Sequence, residues 1–413
     1  MKTKNFFYLA VLSLSMTFSM SSCSDNDDPD IDTTPADLDY TAENANAWGN
    51  YMYNVALLID QDATDLYNYW TVDYHDNGPF STQFKDQVGG TYKSVKACIE
   101  EMVQNGMWNI ANEVGTAKIK DPYDKYVGGD KTGGLYAVES WYSWHSRDDY
   151  TNNIFSIRNT YYGRIDDNDV KKVGENLNAF ATYKDFDDEG DIHENSFSKL
   201  VASIDPDLDE KIKGLIFNSA KAIQNIPQPF RNNINSEEAV AAMNACTDLA
   251  NVLKNELLPF VSNELTDAKY DKQMKAVVNQ FVDAVVLPTY QDLVAKNKAL
   301  LAAVKTFKDS PSNDNFQKGC EAWITAREPW EKSEAFLFGP VGGKGLDPNM
   351  DSWPLDQNGI VQVLKSQNWD EMKWSGDFDE DDEAIGAAQS VRGYHTLEYL
   401  LFKDGKPRTV DTK

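Results

Sequence analysis

The chain has 413 residues, with 39 Lys and Arg against 66 Asp and Glu, a formal net charge of −27. A 41% hydrophobic and 12% aromatic composition supplies buried cores and excludes a globally disordered chain. The acidity excludes nucleic acid and anionic lipid surfaces as partners, because phosphate binding needs clustered Lys and Arg. Only four His and four Cys are present, which argues against a multi-histidine metal centre, and a mean hydropathy of −0.55 excludes a polytopic membrane protein.

Residues 1–22 read as a lipoprotein signal peptide. Lys2 and Lys4 precede an apolar run from Phe6 to Met20, too short to span a bilayer comfortably. Met20-Ser21-Ser22-Cys23 resembles a bacterial lipobox, with Cys23 as the acylated residue; ordinary signal cleavage beside an incidental Cys is the alternative. Residues 23–36 form an acidic tether, and Ser24-Asp25-Asn26-Asp27-Asp28 resembles the surface-export signal of Bacteroidetes lipoproteins. The expected location is the outer membrane, periplasmic or cell-surface side, held only by the lipid anchor. Cys98, Cys246 and Cys320 lie in the folded body without any CxxC, so buried thiols or one disulfide are expected.

The body reads as all-α: two helical-bundle domains, 37–267 and 268–413, with a boundary near Thr266 to Lys269. Trp48, Met52, Val55, Leu58, Leu66 and Trp70 mark a helix from Thr41 to about Trp70. Val95, Cys98, Ile99, Met102 and Trp108 mark a second. Asn235-Ser236-Glu237-Glu238 begins a third, with a carboxylate three residues after the Asn. A fourth runs from about Tyr270 to Phe307 and should kink at Pro288. Asp185 to His193 and the Gly- and Pro-rich 339–354 segment read as irregular, the latter as an ordered loop. No alternating pattern predicts a large sheet.

Several motifs fail on inspection. Gly342-Gly343-Lys344-Gly345 lacks the Ser or Thr of a phosphate loop. Asp185, Asp187, Glu189 and Gly190 open like a calcium loop, but Ser196 stands where the bidentate Glu belongs. The run Asp377 to Glu383 reads as a solvated helix start. There is no HExxH and no GxSxG.

One constellation survives. His395 and Glu398 in Gly393-Tyr394-His395-Thr396-Leu397-Glu398 share a helical face, and Gly393 permits close approach of a backbone or ligand. Upstream, Trp323, Arg327, Trp330, Glu331 and Glu334 fall along one helical stripe, followed by Asp351-Ser352-Trp353-Pro354. A core histidine held by a carboxylate, and a salt-bridged Arg beside Trp, are the bland readings of these two stretches.

Together, GxHxxE, the Arg327 helix and the Ser-Trp-Pro loop resemble the imelysin family. Ser143-Trp144-His145-Ser146-Arg147-Asp148-Asp149, continuing through Asn153, resembles a segment of the family's other half. The halves look circularly permuted relative to the usual order. The resemblance implies a two-domain helical fold with the motif residues gathered at the interface. It implies a ligand site of Gly393, His395, Glu398, Arg327, Trp330, Glu331, Glu334, Trp353, Ser146, Asp149 and Asn153.

Within that site His395 and Glu398 are the expected metal ligands, for iron or another divalent metal. The family's founding member was described as an insulin-cleaving metallopeptidase, and relatives are tied to bacterial iron uptake. A catalytic zinc needs three protein ligands and an independent base. His395 and Glu398 supply two, and of the other His only His145 lies in a family-like motif. The leading expectation is therefore a non-catalytic lipoprotein that binds iron or an iron-related ligand in iron uptake, with an outer-membrane iron transporter as partner. A metallopeptidase is the alternative. A SusD-like glycan binder, suggested by ten Trp and twenty Tyr, comes third because no helical repeats are visible.

Overall fold

The computed structural model describes residues 38–165 and 177–410. The expected signal peptide, the expected acylation site Cys23 and the expected acidic tether lie outside the described residues. The chain is almost entirely α-helical, in two clustered helix bundles. Among the described residues the only strands are Phe402–Lys403 and Lys406–Pro407, an antiparallel pair. No described helix is long and apolar enough to cross a membrane.

The first bundle is built from a long interrupted helix over 95–127, Ser146–Tyr162, Pro206–Gln224 and Glu237–Val252. The second is built from Ala45–Thr71, Leu287–Asp309, Asn313–Glu331 and Gly393–Leu401. Ala45–Thr71 buries Trp48, Met52, Val55, Ile59, Leu66 and Trp70, one stripe at helical spacing. Ile59, rather than the predicted Leu58, completes that stripe. This helix falls in the 37–267 stretch of sequence but packs along Leu287–Asp309, so the second bundle draws on both ends of the chain. The bundles meet where Ser146–Tyr162 lies against Asn313–Glu331.

Local chemistry sets the helix ends. Ser94 caps the helix that starts at Val95 by accepting from the Ala97 N–H. Ser236, one residue past the expected Asn235, caps Glu237–Val252 through the Ala239 N–H. Asp382 caps Glu383–Gln389 through the Ala384 N–H, so the acidic run before it is a helix start. Pro288 follows a π-helical turn, Val282–Val286, that joins Asp271–Phe281 to Leu287–Asp309. Proline cannot donate to the preceding turn and its ring crowds that turn's carbonyl; the wider π turn relieves both faults, and the helix continues. Pro259 stands in the same relation to the π turn Leu253–Leu257.

One expectation about an irregular segment is corrected. Residues 339–354 are not one loop: Pro340–Gly343 and Leu346–Asp351 are helical, entered through Gly339 (φ +64) and Gly345 (φ +59). Asp187, rejected as a calcium ligand, instead pairs with buried Arg158 at 2.8 Å and accepts from Tyr162 Oη at 2.8 Å. Cys98, Cys246 and Cys320 are all buried free thiols.

Candidate functional site

Arg327 stands at the centre of the bundle interface. It lies on Asn313–Glu331, is fully buried, and shares its helical face with Glu331 at i+4. Its Nη2 lies 2.8 Å from Glu331 Oε1, its Nε lies 3.4 Å from Asp149 Oδ2, and its Nη1 meets Asp351 Oδ1. Three carboxylates thus surround one guanidinium, which holds Arg327 charged well beyond the ordinary range against the opposing effect of burial.

Asp351, at the end of Leu346–Asp351, ties this group together. Its Oδ1 lies 3.1 Å from His395 Nε2, and its Oδ2 accepts from Trp330 Nε1 at 2.7 Å. The helix that carries Asp351 is seated against Gly393, whose φ is +85. A Cβ there would sit 2.6 Å from the Met350 carbonyl oxygen, so the close approach is to backbone.

His395 uses both ring nitrogens within the protein: Nε2 toward Asp351, and Nδ1 toward Glu398 Oε2 at 3.2 Å. Glu398 Oε1 in turn accepts from the Ser143 N–H at 2.8 Å and Ser143 Oγ at 2.7 Å. Burial and Arg327 oppose protonation of His395, but Asp351 and Glu398 outweigh them and raise the ring to about 9. Arg327 Nη2 lies 3.3 Å from His395 Nε2, so both ring nitrogens of His395 face other side chains in this structure.

The remaining expected residues are also placed. Asn153 Nδ2 donates to Glu331 Oε2 at 2.6 Å. Asp149 accepts from Ser140 Oγ at 2.5 Å and lies 2.8 Å from His145 Nδ1. Burial opposes ionisation of Asp149, but His145 and Arg327 lower it; in the same way Asp149 raises His145 to about 9. Trp353 sets its ring 4.7 Å from that of His395 and donates from Nε1 to the Ala137 carbonyl. Ser146 is turned away from the ionic group and donates to the Glu139 carbonyl at 2.5 Å.

A second, more acidic compartment adjoins this network. Glu331, Glu334 and Asp351 are buried and bring carboxylate oxygens within 4.8 Å of one another. Oxygens bound to one cation at about 2.0–2.6 Å are no farther apart than roughly 5 Å, so this trio fits a single hard ion. Glu334 and Asp347 are 6% and 8% exposed, and among the described residues neither side chain has a hydrogen-bonding protein partner. Burial pushes Glu331 and Asp347 up to about 8 and Glu334 well above the usual carboxyl range. Lys118 opposes the shift in all three, and Arg327 opposes it at Glu331. Asp351 is held far below the usual range, since Arg327 and His395 overcome its burial. Burial therefore favours the neutral forms of Glu331, Glu334 and Asp347.

The sequence reading leaves out Asp347, Lys118, Glu113 and Glu139 as members of this interior, and quotes Ser143 and Asp351 only as parts of longer motifs. Lys118 gave one usable signal: it lies between Val114 and Ile119, both fully buried, on a helix face that excludes water.

The crystal structure of an imelysin peptidase from Bacteroides ovatus matches with a TM-score of 0.83 and 53% identity, over 92% of this chain and all of that one. Iron-regulated protein A of Synechococcus elongatus is 33% identical over 134 residues, 32% of this chain and 33% of that protein. The chain thus spans about a third of that curated relative. The Peptidase M75 (imelysin) family model matches residues 25–255 and 286–413, and the chain belongs to that family.

Proposed function

We propose that this chain binds a hard, oxygen-preferring metal cation without catalysing a reaction, and serves iron acquisition from a lipid-anchored position at the outer membrane. The observation that carries the reading is the buried Glu331, Glu334 and Asp351 trio, in which Glu334 has no hydrogen-bonding side-chain partner among the described residues. A buried carboxyl without a partner is costly, and a cation offers the missing one. Iron is the ion suggested by the name of the Synechococcus relative, and an oxygen-only donor set suits it. An outer-membrane iron transporter is the partner expected to receive the ion.

Calorimetric titration with Mn2+ and Fe2+ tests the reading. Wild type should bind one ion, and Glu334→Gln should weaken binding by at least about 100-fold, since losing even a group that only orients a ligand costs about 10–100-fold. Equal affinity in wild type and Glu334→Gln would sink it.

A metallopeptidase is the second reading, favoured by the description of the 53% identical structure as an imelysin peptidase. A catalytic metal would take the same trio as ligands and still need an open position and a base. Glu398 is committed to Ser143 and His395, so it does not supply that base in this geometry. Chelator-sensitive cleavage of a denatured protein, abolished by Glu334→Gln, would establish the peptidase over the binding protein.

A further inference from the structure

Asn153 faces the acidic trio from the other bundle. It lies on Ser146–Tyr162, is fully buried, and its Nδ2 donates to Glu331 Oε2 at 2.6 Å. The same Nδ2 also donates to the Glu331 backbone carbonyl at 3.4 Å. A carbonyl oxygen can only accept, so the nitrogen, not the oxygen, of the amide faces Glu331. Ser156, three residues on, shares the helical face and pins it. Its Oγ donates to the Asn153 carbonyl at 2.5 Å and accepts from the Ala335 N–H at 2.9 Å, next to Glu334. The helix is thereby tied both to Glu331 and to the turn that carries Glu334.

These contacts leave Asn153 Oδ1, which is buried and has no hydrogen-bonding partner among the described residues. A buried amide oxygen without a partner is costly and calls for a donor or a cation. Asn152 and Asn159 on the same helix also carry unpartnered oxygens. Of the three, Asn153 is the one bonded to a carboxylate of the trio. The oxygen and nitrogen of one amide are about 2.2 Å apart, so Oδ1 lies within roughly 5 Å of Glu331 Oε2. That is the span open to oxygens that share one ion. Amide oxygens join carboxylates around hard cations, supplying a ligand without supplying charge.

We propose that Asn153 Oδ1 is a further, uncharged ligand of the cation, which is therefore held from both bundles. This inference rests on the cation-binding reading above and adds a ligand to that site. The ion class is a divalent or trivalent oxygen-preferring cation. The amide nitrogen keeps its bond to Glu331 while the oxygen turns to the ion. One side chain thus both orients a carboxylate and takes a place in the coordination shell.

The test uses the whole chain with two probes. Calorimetric titration with Mn2+ reads affinity, and the luminescence decay of bound Eu3+ in H2O and D2O counts the waters left on the ion. Asn153→Leu keeps the approximate volume and removes both polar atoms. It should weaken Mn2+ binding by about 10–100-fold. It should also add about one water to bound Eu3+, because water fills the position that the amide leaves. Asn153→Asp keeps an oxygen for the ion but loses the amide donor to Glu331. It should bind Mn2+ at least as tightly as wild type and keep the wild-type water count. If Asn153 only positions Glu331 through Nδ2, Asn153→Asp weakens binding as Asn153→Leu does, and the ligand role is overturned. Unchanged affinity and water count in Asn153→Leu overturn it as well and leave the trio standing. Should Asn153→Leu fail to fold by circular dichroism, Asn153→Asp alone decides by the same criterion. Failure of wild type to bind either ion overturns the cation reading and this inference with it.

Discussion

Asp351 joins Arg327 to His395: its Oδ1 meets the guanidinium and lies 3.1 Å from the imidazole Nε2. One carboxylate therefore bridges two buried cationic side chains from two different helices. Asp351→Asn keeps the shape and removes the charge, leaving Arg327 and His395 facing each other. Breaking a buried ion pair in this way costs about 3–5 kcal/mol. Urea unfolding of the variant should show that loss. A change below about 1 kcal/mol would mean that the pair behaves like an exposed salt bridge.

Gly393 is fixed by backbone geometry. Its φ of +85 and the 2.6 Å separation between a hypothetical Cβ and Met350 O leave no room for alanine. Gly393→Ala should destabilise the fold by about 2–4 kcal/mol and displace the Asp351 helix from His395. Thermal melting reads the first effect. The second appears as loss of the raised His395 titration, followed by the imidazole NMR signals. A variant with wild-type melting would show that the segment yields.

Much of the site was legible where it rests on local spacing. His395 with Glu398, and Arg327 with Glu331, are helical neighbours, and helical periodicity alone pairs them. What spacing cannot reveal is convergence. Asp351, Asn153 and Asp149 reach Arg327 or Glu331 from separate segments, and only the family resemblance had drawn Asn153 and Asp149 in. A GxHxxE motif shows that an imidazole and a carboxylate coincide, but Ser143 and Asp351, which consume their hydrogen-bonding capacity, come from elsewhere. Beyond the apolar neighbours Val114 and Ile119, the sequence does not assign Lys118 to a buried face, because a π turn breaks the regular period on which face assignment depends. The fold was read correctly as all-α, yet the packing of Ala45–Thr71 on Leu287–Asp309 is a long-range fact that no local pattern carries.

The thiols should be inert in the native state. Cys98, Cys246 and Cys320 are buried and free, and burial pushes the Cys98 and Cys246 thiols up to about 12. Reductant should leave the melting temperature unchanged. A thiol reagent should modify these three only after denaturant is added. Rapid labelling of any of the three in the native protein would contradict their burial.

Stability of the metal-free protein should fall as pH rises from about 5 to 9. His395 and His145 have ordinary values of 6.5 that folding raises to about 9. Their contribution is complete below 6.5 and is lost as pH rises through 9. Glu331 and Asp347 start from 4.5 and 3.8 and are raised to about 8. A carboxyl that binds its proton more tightly in the folded state costs nothing in acid and progressively more up to its folded value, so the sign is the same. Asp149 is lowered and acts in the opposite sense, but only near and below its ordinary 3.8. The upper and lower windows therefore do not cancel, and the maximum should lie near pH 5. Melting temperatures measured across pH 5 to 9 should decline throughout, and His145→Gln should flatten the part above 6.5. A curve that is level or rising over this range would show that the buried carboxyls do not hold their protons. Saturating Mn2+ should make the decline shallower, because an ion bound to Glu331, Glu334 and Asp351 replaces the protons whose loss destabilises the metal-free form.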